Sequence, residues 1–303
     1  MSTNVSTAVL SPASPLREFT TSYARSRVAV AAFVVLVLIL AAAICAPLIS
    51  PQNPYDLAQL DIMDSKLAPG AQSTSGGAGH TFLLGTDDQG RDLLSAIFYG
   101  LRISLGVGVF STVVALAIGV VVGLIAAYVG GWTDAIIMRI VDLQLSFPTI
   151  LIALILLAVM GQGVDKIVIA LIAVQWAYYA RTVRGAALVE KRKEYVDAAV
   201  CLGYSPVRIV LRHIMPNVLP PLIVVATVQV AHAIALEATL SFLGLGMPIT
   251  SPSLGLLISN GFTHLLSGKY WISFFPGIAM LITIVAINLV GDQLRDVLNP
   301  RLK

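Results

Sequence analysis

The chain has 303 residues, of which 57% are hydrophobic and 12% are charged, and its formal net charge is +3. A soluble globular domain typically has about 45–50% apolar and about 25% charged residues, so this composition excludes an ordinary water-soluble enzyme. The low charge also excludes disordered and nucleic-acid-binding chains, which need many charged groups. Two cysteines, Cys45 and Cys201, are too few for a disulfide scaffold. The composition therefore indicates a membrane protein.

Six apolar stretches are candidates for membrane-spanning helices, each of which needs about 20 residues. The predicted spans are residues 28–49, 103–129, 143–160, 167–180, 218–246 and 271–290. The first is longer than the apolar region of a secretory signal, which is about 7–15 residues, and this favours a retained anchor. We therefore expect an all-α, polytopic membrane protein with a tail at 1–27, an anchor at 28–49, an external loop at 50–101 and a transmembrane domain at 102–303.

The distribution of Lys and Arg predicts the orientation of these spans. Segments 1–27, 130–142, 181–216 and 291–303 fall on one side of the membrane and contain fourteen of the 19 Lys and Arg residues. Because cytoplasmic loops carry an excess of Lys and Arg, we expect both termini to be cytoplasmic.

The predicted external loop contains two segments of distinct composition. Residues 69–79 are rich in Gly and Ser and predict a flexible surface loop. Residues 85–92, GTDDQGRD, place Asp87, Asp88 and Asp92 beside Arg91, downstream of His80. Their spacing matches neither a calcium loop nor a zinc pattern. We therefore expect a hydrogen-bonded turn that leads into the second span rather than a metal site.

The second span has a small residue at every fourth position. Ser111, Ala115, Gly119, Gly123 and Ala127 lie on one helical face, and small side chains let another helix approach closely. This pattern predicts a helix-packing face.

Two charged residues, Arg139 and Asp142, lie near the cytoplasmic edge of the third span. Their i,i+3 spacing places them on one helical face. This arrangement favours a local ion pair over a transport site.

The fifth span carries three polar groups, Gln229, His232 and Glu237. Ionisable groups inside a membrane are candidates for a functional role. Gln229 and His232 share a face, whereas Glu237 lies about 140° further round the helix and shares its face with Ser241. Each group either lines a translocation path or contacts a neighbouring helix.

The polar segment 181–216 lies between the fourth and fifth spans and contains seven Lys and Arg residues. A short helix is expected over 194–202, with Gly203 as its stop. Ser205 and Pro206 are typical of a helix start, and we expect a second helix from there to about Met215, ended by Pro216. A DNA-binding helix-turn-helix is disfavoured because two membrane spans hold the segment. The pattern instead indicates a docking site for another protein.

Residues 194–219 resemble the EAA loop of importer-type ABC permeases. The resemblance rests on Asp197-Ala198-Ala199, on Gly203 and on the ending His213-Ile214-Met215-Pro216. The run 212–217, RHIMPN, is similar to the dipeptide, oligopeptide and nickel branch of that family. Residues 85–92, 237–246 and 291–296 resemble signatures of its C-type permease subunit.

This resemblance implies a type I ABC importer permease fold in the inner membrane. Two homologous permeases would form the translocation path, two cytoplasmic ATPases would bind the EAA loops, and an external binding protein would deliver peptides or similar small solutes. The resemblance implies no catalytic residue, metal or cofactor in this chain, with ATP and Mg held by the ATPases. The implied coupling residues are Glu194, Asp197, Ala198, Ala199, Gly203, Ser205, Arg208, Arg212, His213 and Pro216.

Two other classes of protein are weighed against the permease. An ion-gradient-driven secondary transporter would use His232 and Glu237 as a proton relay and would need no docking segment. An intramembrane enzyme is disfavoured because the sequence contains neither HExxH nor GxSxG. The sequence also lacks the phosphate loop GxxxxGK[ST], so energy from ATP would enter through a partner.

Overall fold

A computed structural model describes residues 15–73 and 81–298. Predictions that concern residues 1–14, 74–80 and 299–303 lie outside the described residues. The twelve α-helices of the described residues are α1 Pro15–Ala24, α2 Arg27–Ile44, α3 Ala46–Ile49, α4 Leu93–Val129, α5 Gly131–Ser146, α6 Thr149–Met160, α7 Val164–Lys191, α8 Glu194–Cys201, α9 Pro206–Ile209, α10 Met215–Phe242, α11 Leu254–Phe262 and α12 Trp271–Leu298. The described residues also contain two short antiparallel strands, β1 Ala71–Gln72 and β2 Thr81–Phe82, three short 3₁₀ helices and one π-helical turn.

The helices agree with most of the predicted spans. By length and composition, α2, α4, α12 and the segment Pro206–Phe242 could each cross a membrane, and the bent pair α5 and α6 could form a fifth span. The helix at the fourth predicted span, α7, is 28 residues long. It is less apolar than the other candidate spans because Lys166, Arg181 and Arg184 lie towards its ends.

The third predicted span, 143–160, is wrong as a continuous helix. α5 and α6 are bent by 88° at a break between Ser146 and Thr149. Pro148 lacks the N–H that would continue the helix and disfavours helical geometry at the preceding residue. Phe147 accordingly takes an extended conformation with φ −91° and ψ 144°.

α4 and α7 form the centre of the molecule, and the small-residue face of α4 makes this possible. Ser111, Ala115, Gly119, Gly123 and Ala127 are all buried. A Cβ on Gly119 would lie 2.9 Å from the Trp176 carbonyl oxygen, and one on Gly123 would lie 2.6 Å from that of Ala180. The predicted packing face is confirmed, and its partner is α7.

The ion pairs of α5 join it to α7, whereas the sequence predicted a pair within a single helix. The predicted pair Arg139–Asp142 is wrong, because Asp142 binds Arg181 of α7 instead. Arg184 of α7 makes a second pair, with Asp134 of α5, at 2.5 Å between Nη2 and Oδ2. Residues three apart on one helix can meet, but here the neighbouring helix supplies the closer bases.

One end of the helical assembly, which we call the Arg91 end, contains residues 50–73 and 81–92, α11 and the start of α12. Arg91 is fully buried; its Nε lies 2.6 Å from Asp87 Oδ2, and its Nη1 donates to the Ile249 carbonyl at 3.2 Å. Asp92 caps α4 by accepting from the Ser95 N–H at 2.9 Å. The hydrogen-bonded turn predicted for 85–92 is therefore confirmed, and its cap starts α4 ten residues before the predicted span.

α11 at the Arg91 end is absent from the predicted elements. It packs tightly, since a Cβ on Gly255 would lie 2.5 Å from Ala238 Cα and one on Gly261 would lie 2.6 Å from the Ile272 carbonyl carbon. These glycines let α11 lie directly on α10 and α12.

The opposite end, which we call the Tyr195 end, contains α8, α9 and the cytoplasmic ends predicted for α7, α10 and α12. Here α7 continues to Lys191, so the first eleven residues of the predicted loop 181–216 are helical. Lys191 Nζ donates to the carbonyls of Ala127 at 3.2 Å and Tyr128 at 2.7 Å. A base at the C-terminus of α4 satisfies carbonyls that the helix leaves unpaired.

Candidate coupling surface and polar groups of α10

Gly203 ends the first helix of the predicted coupling loop. Its backbone has φ +73°, its N–H donates to the Val200 carbonyl at 2.9 Å, and the Tyr204 N–H donates to the Ala199 carbonyl at 3.2 Å. These two bonds form a Schellman motif. The left-handed conformation favours glycine because a Cβ is strained there, so the predicted helix stop is confirmed.

The second half of the loop continues into α10 without a break. Ser205 precedes α9, and Pro206 lies in its first turn, although the Ser205 side chain makes no capping hydrogen bond. A π-helical turn, Val210–Ile214, joins α9 to α10. The expected helix end at Pro216 is therefore wrong, and Pro206–Phe242 is one helical segment of 37 residues.

The π-helical turn explains how Pro216 is tolerated. In a regular α-helix a proline ring clashes with the carbonyl four residues earlier. Here the Met215 N–H bonds the Val210 carbonyl, five residues earlier. A turn widened in this way gives the ring of Pro216 room.

α8 and α9 are buried on one side and exposed on the other. Val196, Ala199 and Ile209 are packed into a cluster with residues of α4 and α7. Ala199 is thus the one predicted coupling residue that lies fully in the core. The exposed ones are Glu194, Asp197, Ala198, Gly203, Ser205, Arg208, Arg212 and Pro216, while His213 is half-buried.

Large apolar side chains lie among these exposed polar groups. The exposed fractions of Val200, Leu202, Val207 and Leu211 are 56%, 70%, 67% and 52%. Together with Asp197, Arg208 and Arg212 they form what we call the α8–α9 surface. An exposed apolar patch with a charged rim is typical of a protein interaction site.

Tyr204 brings two predicted coupling residues together. The Arg208 guanidinium lies 4.2 Å from the centroid of the Tyr204 ring, and the His213 ring stacks on the same ring at 5.8 Å with an interplanar angle of 15°. Cation–π and stacking contacts of this kind hold the turn between α8 and α9 against the π-helical turn. No motif or spacing in the sequence points to Tyr204.

Tyr195 links α7, α8 and α10 through a hydrogen-bond network that no sequence motif predicts. Its hydroxyl donates to Glu190 Oε2 at 2.6 Å. Asn217 Nδ2 donates to the Tyr195 hydroxyl at 3.2 Å and to the His213 carbonyl at 2.7 Å. Burial and the Glu190 carboxylate raise the pKa of Tyr195 to about 12, so the phenol stays a donor at physiological pH.

A groove of about 810 Å³ lies between α10 and α12 at the Tyr195 end. Gln229 lines it, together with Glu190, Lys193, Asp292 and Arg295. Of the three predicted path-lining residues, Gln229 is the one that faces this groove.

His232 and Glu237 occupy different environments on α10. His232 is exposed, on the same helical face as Val225 and Val228. Glu237 is fully buried. Its carboxylate accepts from the Ser104 hydroxyl of α4 at 2.9 Å and from the Ser241 hydroxyl at 2.8 Å. The structure therefore separates the two residues, and Glu237 joins α10 to α4.

Possible metal ligands do not cluster in the structure. Within residues 15–73 and 81–298, no three His, Cys, Asp or Glu side chains are grouped so that they could hold a metal ion. Of the acids in the 85–92 turn, Asp87 pairs with Arg91, and Asp92 caps α4.

Comparison with known proteins places these features in a family. Residues 119–303 match the family described as the inner membrane component of binding-protein-dependent transport systems, and residues 14–69 match the N-terminal transmembrane domain of oligopeptide transport permease C. The dipeptide transport system permease protein DppC of Escherichia coli is 42% identical over 292 residues, which cover 96% of this chain and 95% of that protein.

A second relative agrees with this assignment, and a solved structure shares the fold. The glutathione transport system permease protein GsiD of Pectobacterium atrosepticum is 36% identical over 289 residues, covering 95% of this chain and 92% of that protein. An inward-facing structure of the MetNI methionine ABC transporter shares the fold, with a TM-score of 0.55 and 19% identity over 67% of this chain and 96% of the other. The chain therefore belongs to the permease subunits of binding-protein-dependent ABC importers, in the C-type branch of the dipeptide and oligopeptide permeases.

Proposed function

We propose that this permease imports short peptides or similar small solutes by transmitting ATPase motion from the α8–α9 surface to α10. Its partners in the proposal are a homologous second permease, two cytoplasmic ATPases that hold ATP and Mg, and an external substrate-binding protein. The dipeptide and glutathione transport named for the two relatives above supports the substrate class. In this scheme the chain itself holds no cofactor and performs no hydrolysis.

The orientation in this proposal follows the distribution of charge. The segments at the Tyr195 end belong to the predicted side that carries fourteen of the 19 Lys and Arg residues. Cytoplasmic loops attract such an excess. We therefore assign the Tyr195 end and both termini to the cytoplasm, and the Arg91 end to the opposite side of the membrane.

One observation carries the proposed mechanism: the docking surface and the polar groups of α10 belong to one helical segment, Pro206–Phe242. Val207 and Leu211 lie exposed at one end of it, and Gln229 and His232 lie further along. A partner that moves α9 therefore moves α10 with it. Such a displacement would shift the permease between inward- and outward-open packings, which are discrete states of the assembly.

The Tyr195 network supports the same mechanism. Glu190, Tyr195 and Asn217 tie the end of α7 to α8 and to the start of α10. Lys193 Nζ adds a bond to Glu190 Oε1 at 2.6 Å. The network makes α8 move as part of the same unit, so that force applied to α8 also reaches α10.

A charge inserted into the apolar part of the α8–α9 surface tests the docking role. Leu202→Glu places a carboxylate on an exposed side chain, so the fold should be retained while apolar contact with the ATPase is lost. Leu266→Glu is the matched control, because Leu266 is fully exposed at the Arg91 end. We expect Leu202→Glu to lose copurification with the ATPases and uptake, and Leu266→Glu to retain copurification. Normal copurification and uptake of both Leu202→Glu and Val207→Glu would contradict the proposal.

A flexible break tests the transmission separately. Replacing the half-buried Val210 and Met215 together by glycine would weaken the helical connection between α9 and α10 while leaving the residues of the α8–α9 surface unchanged, since glycine is the least favourable ordinary residue in a helix. We expect the ATPases still to bind and hydrolyse ATP, while substrate uptake falls. Uptake that stays proportional to ATP hydrolysis would show that α10 is not the transmitting element.

A further inference from the structure

A shallow groove of about 300 Å³ lies on α4 at the Arg91 end, away from the groove at the Tyr195 end. Tyr55, Tyr99 and Arg102 line one part of it, and the rest is apolar, lined by Ile103, Gly106 and Val107 of α4 and by Val164 at the start of α7. The rings of Tyr55 and Tyr99 meet edge to face, with centroids 5.1 Å apart. The groove thus has a guanidinium and two phenol groups on one side and an apolar floor beside them.

The Arg102 guanidinium is free to bind a ligand. Within residues 15–73 and 81–298 it makes no ion pair or hydrogen bond, and its side chain is exposed. Arg91, by contrast, is fully buried and paired with Asp87. Burial raises the pKa of Tyr55 to about 12, although the nearby Arg102 charge opposes this shift. The Tyr55 hydroxyl therefore remains a donor next to Arg102.

The surface of α4 continues the apolar floor towards the Tyr195 end. A Cβ on Gly106 would have no heavy atom within 4 Å, so this position is open. Beyond it, Phe110 and Val113 are 60% and 57% exposed. α4 is long and apolar enough to cross a membrane, and Arg102 is the charged residue that precedes its exposed apolar run. Charged side chains near the ends of spanning helices reach the membrane interface, which is where lipid headgroups lie.

We propose that Arg102, Tyr55 and Tyr99 bind the phosphodiester of a phospholipid, with one acyl chain lying along Gly106, Phe110 and Val113. Arg and Tyr donors match phosphate oxygens, and charge-assisted hydrogen bonds of this kind are the stronger class. The apolar floor favours a lipid over free phosphate, which has no group to cover it. The proposed orientation enters only in assigning this lipid to the outer leaflet.

Lipid binding to the purified transporter complex tests the site. The complex is stripped of lipid in detergent and titrated with phosphatidylglycerol, and bound lipid is counted by native mass spectrometry. We expect Arg102→Gln to weaken the tightest binding event about tenfold, as for the loss of a charged hydrogen-bond donor. Arg102→Lys should bind with intermediate affinity. Lys269→Gln is the matched control, since it removes one unpaired base at the same end.

The alternatives give distinct results. Unchanged phosphatidylglycerol binding in Arg102→Gln and in the double variant Tyr55→Phe and Tyr99→Phe would overturn the proposal. Displacement of the lipid by millimolar inorganic phosphate would assign the site to a free anion instead. Loss of the second permease from the Arg102→Gln complex, with lipid binding intact, would make this face a subunit contact. Arg102→Lys and the tyrosine variants change the side chains less. If Arg102→Gln fails to assemble, lipid binding by these variants tests the proposal in its place.

Discussion

α4 and α10 both cross the membrane, and each is covered on one side and open on the other, but their open faces differ in chemistry. The open face of α4 beyond Arg102 is wholly apolar; its exposed residues are Gly106, Val109, Phe110, Val113, Ala117, Ile118, Val121, Ile125 and Val129. The open face of α10 includes polar groups among its apolar ones; these are Asn217, Gln229, His232 and Thr239.

A hydropathy profile does not distinguish these two faces, although they suit different environments. Polar side chains in hydrocarbon are costly and almost always face a protein interior or a water-filled cavity. The open face of α4 therefore suits lipid, whereas that of α10 suits a second permease or an aqueous path. In the proposed function, the path lies on the side of α10 that carries Gln229 and His232.

A matched pair of charge insertions should give the largest effect. Val113→Arg places a charge on the open face of α4, which translocon-insertion scales penalise by about 2.5–3.5 kcal/mol near a helix centre. Val228→Arg makes the same change on the open face of α10, where Val228 is 40% exposed. We expect Val113→Arg to lower the amount of membrane-inserted protein, measured by immunoblot, and Val228→Arg to insert normally but transport poorly. Equal insertion of both variants would break the comparison.

The covered side of α4 gives the next effect. Gly119→Val forces α4 and α7 apart, since even a Cβ there would lie 2.9 Å from the Ala180 backbone nitrogen. Overpacking of this kind typically costs about 1–3 kcal/mol, so we expect a lower unfolding temperature for the purified complex. Gly277→Val is the control, because a Cβ at Gly277 has open space. If both variants unfold at the same temperature, the α4–α7 contact is looser than described.

Glu237 offers a comparison on the covered side of α10. Glu237→Gln keeps a side-chain oxygen that can accept from the hydroxyls of Ser104 and Ser241. Glu237→Leu removes this acceptor and leaves both hydroxyls buried without their partner. Unsatisfied buried groups cost about 1–3 kcal/mol, so we expect thermal unfolding to be affected strongly only by leucine. Uptake should survive in Glu237→Gln. Loss of uptake in a stable Glu237→Gln complex would instead favour a proton-relay role.

The smallest effect is expected at Gly203, which ends α8 shortly before the helical segment Pro206–Phe242. Gly203→Val strains the left-handed helix end by about 1–2 kcal/mol and should weaken copurification with the ATPases. Gly203→Asn is the matched control, since asparagine tolerates this conformation best among residues with a Cβ. Copurification that is equally weak in both variants would show that contact with the glycine itself matters rather than its conformation.

The sequence predicted the helices that depend on local patterns and missed those that depend on neighbours. Gly203 ends α8 as expected because a glycine after a helix has one common role. Pro148 and Pro216 show the limit of such reasoning, because one breaks a span and the other is absorbed by a π-helical turn. The sequence contains no local signal that distinguishes these outcomes, since each proline follows a large apolar residue, Phe147 or Met215, and precedes a long apolar run.

The candidate site shows the same division. The residues of the α8–α9 surface follow from motif resemblance, and their exposure agrees with a docking role. The contacts that hold this surface to the spans come from Tyr195, Tyr204 and Asn217. Tyrosine and asparagine are common in loops and carry no spacing signal, so only the folded arrangement identifies them. For the same reason, the sequence alone could not predict that Asp142 pairs with Arg181.

The accessibility of single cysteines to a charged, water-soluble thiol reagent tests the central comparison most directly. Cys45 and Cys201 are first replaced, and His232→Cys and Val113→Cys are then compared in the assembled transporter, both at rest and with the ATPases trapped by vanadate. We predict that the cysteine at 232 reacts in at least one of these states, while the cysteine at 113 reacts in neither. Labelling at 113, with none at 232 in either state, would contradict the assignment of α10 to the path and α4 to lipid.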